Sequence, residues 1–174
     1  MTSSDESDFE RILFPSGTVF AEGARQSTLF EQYRLFVDSS EKLVARRQTV
    51  NTFFLSINAL LLSAAGFIVK DVPQEGAAFV GVLALGLAGI LSCITWRNVL
   101  RSYRQLNTGK FVVIHALEQH LPAALFNAEW HALGEGRDKK KYTPFTASEA
   151  LIPIVFAVLY SIAMLSSVIQ RFVA

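Results

Sequence analysis

The side chains that most often carry chemistry are few in this sequence, and their spacing does not suit it. The histidines are His115, His120 and His131. His115 and His120 stand five positions apart, whereas a zinc-binding pair on one helical face stands at i and i+4. Glu118 and Glu129 make no recognisable acid–base pair. We therefore expect no metal, no cofactor, no catalytic centre and no enzyme activity.

Cysteine chemistry and nucleic-acid binding are disfavoured in the same way. Cys93 is the only cysteine, so the chain cannot form an internal disulfide or a site built on several thiols. The helical HEPN type of ribonuclease needs an arginine a few residues before a histidine, and no histidine here has one. The net charge of +1 gives no basic field for nucleic acid. The basic loop with Lys139, Lys140 and Lys141 is instead expected to set topology or to contact anionic lipid headgroups.

Three apolar blocks dominate the rest of the chain, at residues 52–69, 77–96 and 150–169, and none contains Lys, Arg, Asp or Glu. Each is close to the roughly 20 residues that a helix needs to cross a hydrocarbon core. The overall composition, 51% hydrophobic and 18% charged, lies toward the membrane end of the range. The sequence therefore predicts an all-α integral membrane protein.

The distribution of arginines predicts how the first two blocks cross the membrane. Arg46 and Arg47 precede the first block, and Arg97, Arg101 and Arg104 follow the second. Only the short turn "KDVPQEG" separates the two blocks. The positive-inside rule places both arginine-rich ends of this hairpin in the cytoplasm. We expect a membrane protein with a cytoplasmic N-terminus.

The third block leaves two alternatives open. The run "RDKKKY" lies shortly before it, and Pro153 falls near its start, where a helix tolerates proline. It either spans the membrane outward from the cytoplasm or packs as a buried or interfacial helix. An interfacial helix would carry a charged face, and this block has none, which favours a span.

The polar parts adjoining the first two blocks are predicted to be helical. Thr28 and Glu31 have the spacing of a capping box, and no Pro or Gly interrupts the chain from Thr28 to Gly66, so helix and span form one rod. A second apolar stripe runs on from the second block to Pro122, weakened locally at Gly109. The resulting division is a flexible acidic segment at 1–27, a long helical hairpin at 28–121, a cytoplasmic loop region at 122–147 and a C-terminal apolar helix at 148–174.

Two asparagines interrupt the first apolar block, at Asn51 and Asn58, seven residues apart. Beside them runs a seam of small residues that lets helix backbones approach closely in lipid. Either the seam packs the hairpin together, with Asn58 bonded locally, or a second small face packs between subunits, with Asn58 repeated around a ring. The candidate packing residues are Asn51, Thr52, Ser56, Asn58, Ala59, Ser63 and Gly66 in the first block and Gly81, Ala84 and Ala88 in the second.

Several stretches resemble the RipA family of small bacterial membrane proteins. They are "ARRQ" entering the first block, "SYRQLNTGKFVVIHALEQHLP" after the second, and "KYTPFT" before the third. The resemblance covers about residues 31–160 and implies an octamer in the bacterial cytoplasmic membrane. It implies no catalytic residue. A looser likeness, of architecture alone, is to the octameric membrane accessory of an RNA-targeting CRISPR system.

Two functions remain open from the sequence. One is a homo-oligomeric ring that perturbs or gates the membrane, as an accessory in stress or phage defence. The other is a non-conducting adaptor whose cytoplasmic helices recruit a soluble protein partner. In both, the partners are membrane lipids and further copies of the chain.

Overall fold

The computed structural model describes residues 3–15, 23–71, 75–137, 140–142 and 149–173. Its helices are α1 (Ser3–Leu13), α2 (Ala24–Asp71), α3 (Glu75–Glu118), α4 (Leu125–Ala132) and α5 (Ile152–Val173), with a 3-10 turn at Gly134–Gly136. No strand occurs in the described residues. The predicted all-α architecture is confirmed.

The long hairpin consists of α2, with 48 residues, and α3, with 44 residues. At 1.5 Å per residue these helices are roughly 70 and 65 Å long, well beyond the roughly 40–45 Å of a whole bilayer. Each helix is therefore longer than a bilayer is thick, and α2 is the one continuous rod that the sequence predicted. Helix α3 passes through Gly109 without ending. The predicted turn between the two helices lies partly at residues 72–74, outside those described.

The start of α2 differs from the prediction. The helix begins at Ala24, directly after Gly23, whose φ of +84° breaks the regular backbone. Ser27 donates a hydrogen bond from Oγ to the carbonyl of Ala24 at 3.0 Å. Thr28 therefore lies inside the helix, and the capping box with Glu31 is wrong, because the left-handed glycine sets the helix start one turn earlier.

Helix α5 packs against α3, and two glycines of α3 permit the close approach. A Cβ at Gly89 would fall on the ring of Tyr160, and one at Gly86 would lie 2.5 Å from Met164. Pro153 is the second residue of α5, in the first turn, where its missing N–H leaves no helical bond unmade. Among the described residues, three segments are long and apolar enough to cross a membrane: Ala24–Lys70, Gly76–Glu118 and Ile152–Phe172.

A buried carboxylate, Glu118, connects the helices at the C-terminal end of α3. Glu118 accepts backbone hydrogen bonds from Phe126 at 2.8 Å and Asn127 at 2.9 Å, at the start of α4. It also accepts one from the Tyr33 hydroxyl of α2 at 2.9 Å. One side chain thus joins α2, α3 and α4.

The N-terminal segment that was predicted to be flexible contains α1. Directly after this helix, the ring of Phe14 lies 4.3 Å from that of His120, centroid to centroid. The His120 ring also lies within hydrogen-bonding distance, 3.2 Å, of the Ala116 carbonyl. This contact places the end of α1 beside the end of α3.

Few side chains are fully enclosed by the single chain. The core is a narrow strip of buried side chains that includes Val82, Trp96 and Tyr160. In the most apolar windows of the three spanning helices, only 11%, 22% and 11% of residues are buried. Lipid or further copies of the chain must therefore cover the remaining apolar faces.

Candidate functional site

The first candidate site is a polar cluster around Asn58 at the centre of the three apolar helices. The Asn58 side chain donates to the Phe54 carbonyl at 2.8 Å and to Ser92 Oγ at 3.0 Å. The Tyr160 hydroxyl donates to the Asn58 carbonyl at 2.7 Å, and Cys93 Sγ lies 3.4 Å from Asn58 Oδ1. Asn58 is 0% exposed. Its amide is therefore satisfied inside one chain and joins α2, α3 and α5 at one level.

Asn51, seven residues before Asn58, also forms a side-chain hydrogen bond to another helix. The Trp96 indole donates to Asn51 Oδ1 at 2.9 Å. The same indole stacks on Phe54, with centroids 5.8 Å apart, and meets Phe156 of α5 at 6.4 Å. Residues 51, 58 and 65 thus form an inward row on α2, because a period of seven keeps side chains on one face.

The seam of small residues on α2 is turned away from the contact between α2 and α3. All five members, Thr52, Ser56, Ala59, Ser63 and Gly66, are exposed. Positions 52, 59 and 66 each follow an inward residue by one, which turns them about 100° away from the contact with α3. Their exposure does not support a seam that packs the hairpin, whereas the local bonding of Asn58 that the same alternative included agrees with its bonds to Phe54 and Ser92. The seam is an unoccupied face of the single chain.

The small residues of α3 are divided in the same manner. A Cβ at Gly81 would lie 3.1 Å from Ile68 Cδ1, so Gly81 faces α2. Ala84 and Ala88 are exposed. Of the candidate packing residues, the structure brings Asn51, Asn58 and Gly81 to the helix–helix contact and leaves the others on the surface.

The second candidate site is a basic cleft of about 430 Å³, which we call the arginine cleft. Arg47 Nε lies 3.6 Å from Glu149 Oε2, and their side chains are only 13% and 17% exposed. Neither atom has a hydrogen-bond partner among the described residues. The residues that line the cleft are Arg47, Ile94, Arg97, Asn98, Leu100, Arg101, Arg104, Glu149 and Ala150.

The sequence predicted these arginines as topology or headgroup residues, but in two separate groups. The structure places Arg47 of α2 and the arginines of α3 around one cavity, which is also lined by Glu149, a residue that the sequence analysis did not single out. Arg46 is exposed and does not line the cleft. Lys140 and Lys141 are exposed and do not line the cleft, and Lys139 lies outside the described residues. No sequence signal marked Glu149, because only the folded chain brings it beside Arg47 of α2.

An apolar groove of about 200 Å³ adjoins the arginine cleft. The two cavities share Ile94 and Arg97. From there the groove runs between α3 and α5, past Pro153 and Ala157, to Ser161. A charged cavity thus leads into an apolar one.

Comparison with known proteins identifies the family. Residues 30–169 match the model of the octameric membrane protein family (8xMP). The chain belongs to this octameric membrane protein family. The octameric membrane family expected from the sequence motifs is thereby supported, without the narrower RipA name. Searches of curated proteins and of solved structures found no match.

Proposed function

We propose that the protein forms a homo-octameric ring in the bacterial cytoplasmic membrane and perturbs or gates that membrane. In this proposal it acts without a catalytic centre, as an accessory in stress or phage defence, a role that rests on the architectural likeness alone. The observation that carries the proposal is the exposed small-residue seam of α2, in a chain whose family is octameric.

The seam suits contact between subunits for a steric reason. In lipid, helices gain little from apolar attraction, and close backbone approach past small side chains supplies the packing instead. The inward row of α2 is already used within the chain, whereas Ala59, Ser63 and Gly66 face nothing in it. A neighbouring copy laid against this seam would complete the packing, and the same contact repeated around an axis closes a ring.

The hydroxyls of the seam support a membrane-perturbing activity. Ser63 Oγ donates to the Ala59 carbonyl at 2.8 Å, so it needs no outside partner. Thr52 and Ser56 are exposed at the same face. Polar side chains at bilayer depth face other helices or a water-accessible path rather than lipid. A ring built on this seam would place them at subunit contacts or along its centre.

Adjacent substitutions on α2 test the proposed contact. Ala59→Phe puts a large ring into the seam, and Leu60→Phe enlarges a side chain that is 72% exposed on another face. We expect Ala59→Phe to dissociate the octamer in mild detergent and to abolish dye leakage from expressing cells. Leu60→Phe should leave both unchanged. An Ala59→Phe protein that remains octameric would remove the seam from the interface.

A second candidate function is a non-conducting adaptor. Large apolar side chains are exposed beyond the predicted spans, among them Phe30, Leu35 and Leu106. Such residues favour a partner that covers the cytoplasmic half of the hairpin. An octamer that causes no leakage of dye or ions when reconstituted into vesicles would favour this adaptor over the gating ring.

A further inference from the structure

The arginine cleft and the apolar groove beside it have the combined shape and chemistry of a lipid site. We propose that the cleft binds the phosphate group of an anionic phospholipid from the cytoplasmic leaflet, with part of one acyl chain in the groove. This inference does not depend on whether the octamer conducts.

The charge of the cleft favours a phosphate. Four arginines and one glutamate line it, which leaves three positive charges in excess. Arg47 is the arginine that pairs with Glu149. Arg97, Arg101 and Arg104 follow one another at i, i+4 and i+7, which places them on one face of α3. None of these three forms an ion pair within the described residues, and planar guanidinium groups match phosphate oxygens well.

The depth of the cleft favours a phosphate that belongs to a lipid. Trp96, at the expected interfacial level, immediately precedes Arg97. At 1.5 Å per residue, Arg97 to Arg104 covers roughly 10 Å along the helix axis. The headgroup layer on each side of a bilayer is roughly 5–8 Å thick. With the span ending at Trp96, Arg97 and Arg101 therefore fall at the level of lipid phosphates.

The apolar groove favours a lipid over a soluble phosphate, because a soluble phosphate has no apolar chain to fill it. It runs along α5 from Pro153 to Ser161, roughly 12 Å at the helical rise, in the direction of the bilayer interior. Arg97 stands where the two cavities meet. A ligand that fills both must carry a charged head and an apolar chain, which is the chemistry of a phospholipid. Basic pockets between membrane helices on the cytoplasmic side bind such headgroups.

The charged part of the site is tested with full-length protein in nanodiscs of phosphatidylcholine containing a small fraction of phosphatidylglycerol. The retained lipid is counted by native mass spectrometry. Arg97→Gln and Arg101→Gln should each weaken retention of phosphatidylglycerol about fivefold, the change expected for one arginine at a membrane surface. Arg46→Gln is the matched control, because Arg46 is the neighbour of Arg47 just before the first apolar block and does not line the cleft. Equal retention by all these proteins would overturn the proposal.

The apolar part has its own pair of variants on α5. Ser161→Phe fills the groove and should lower phosphatidylglycerol retention, whereas Ser166→Phe, on an exposed position outside the groove, should not. Circular dichroism of each variant checks that the helices remain intact.

Inorganic phosphate added to the detergent-solubilised protein separates the two sources of the phosphate group. Arginine-dependent binding of inorganic phosphate without selective lipid retention would assign the cleft to a soluble anion and overturn the lipid proposal. Loss of the octamer in Arg101→Gln, with unchanged lipid retention, would assign the cleft to a carboxylate of a neighbouring copy. Either result contradicts the lipid site, and selective retention lost in both sets of variants supports it.

Discussion

At the residue scale, the polar side chains of the apolar helices act chiefly on neighbours in the same chain. Asn58 bonds to Ser92 of α3 through its amide, and Tyr160 of α5 bonds to its carbonyl. Asn51 holds the indole of Trp96. In a bilayer an amide has few ways to be satisfied, so such partners are specific and fix the register of the helices.

Replacing the Asn58 amide should therefore lower the stability of the single chain more than it lowers the stability of the octamer. Asn58→Leu removes the side-chain bonds to Ser92 and Cys93, and interhelical bonds in membranes are worth about 0.6–2 kcal/mol each. We expect a destabilisation of about 1–3 kcal/mol, measured by unfolding in a denaturing detergent. The control Leu60→Ala should change little. An octamer lost at unchanged chain stability would show instead that the amide acts between subunits.

The seven-residue spacing of the asparagines was visible in the sequence, but the direction of the small-residue seam was not. Both rows have heptad-like periods and differ by one position. Period alone cannot say which of two neighbouring rows meets α3. Two large side chains decide which row meets α3, because Trp96 donates a hydrogen bond to Asn51 and Tyr160 donates one to Asn58. Those partners lie 45 and 102 residues further along the chain, beyond any local pattern.

At the element scale, α2 was predictable as one long helix because no proline or glycine interrupts it from Thr28 to Gly66. The connection of α4 to the hairpin was not predictable. Glu118 appeared as an isolated carboxylate, whereas the structure shows it bonded to the first turn of α4 and to Tyr33. Backbone N–H groups at a helix start favour such an acceptor.

This contact predicts a dependence of stability on alkaline pH. Burial, followed by the hydrogen bond to Glu118 and the negative charge of Glu118, raises the pKa of Tyr33 to about 12. The unfolded chain loses the phenol proton near its ordinary value of 10, so the stabilisation is complete below pH 10. It falls as the pH rises from about 10 to about 12.

Tyr33→Phe is the matched variant for this prediction. It keeps the ring and removes the titrating hydroxyl, so its thermal midpoint should be lower than that of the wild type at neutral pH. The difference between the two proteins should shrink above pH 10. A constant difference up to pH 12 would contradict the role of the Tyr33 hydroxyl.

At the scale of the whole molecule, the arginines at the hairpin ends predict the topology. Alkaline phosphatase inserted at 72–76 should be active, which requires the periplasm. A fluorescent protein inserted at 137–141 should fluoresce, which requires the cytoplasm, because positively charged ends stay inside. Paired alkaline phosphatase and fluorescent protein fusions measure this directly. The reverse pattern would invert the hairpin and move the arginine cleft to the outer leaflet.

The assembly itself is the central claim. Its direct test is the mass of the purified full-length protein in mild detergent, corrected for bound detergent by multi-angle light scattering. The 19.2 kDa chain in an octameric family predicts eight copies, about 154 kDa, in a single peak. A peak at the mass of one chain, in several detergents and in lipid nanodiscs, would contradict the ring.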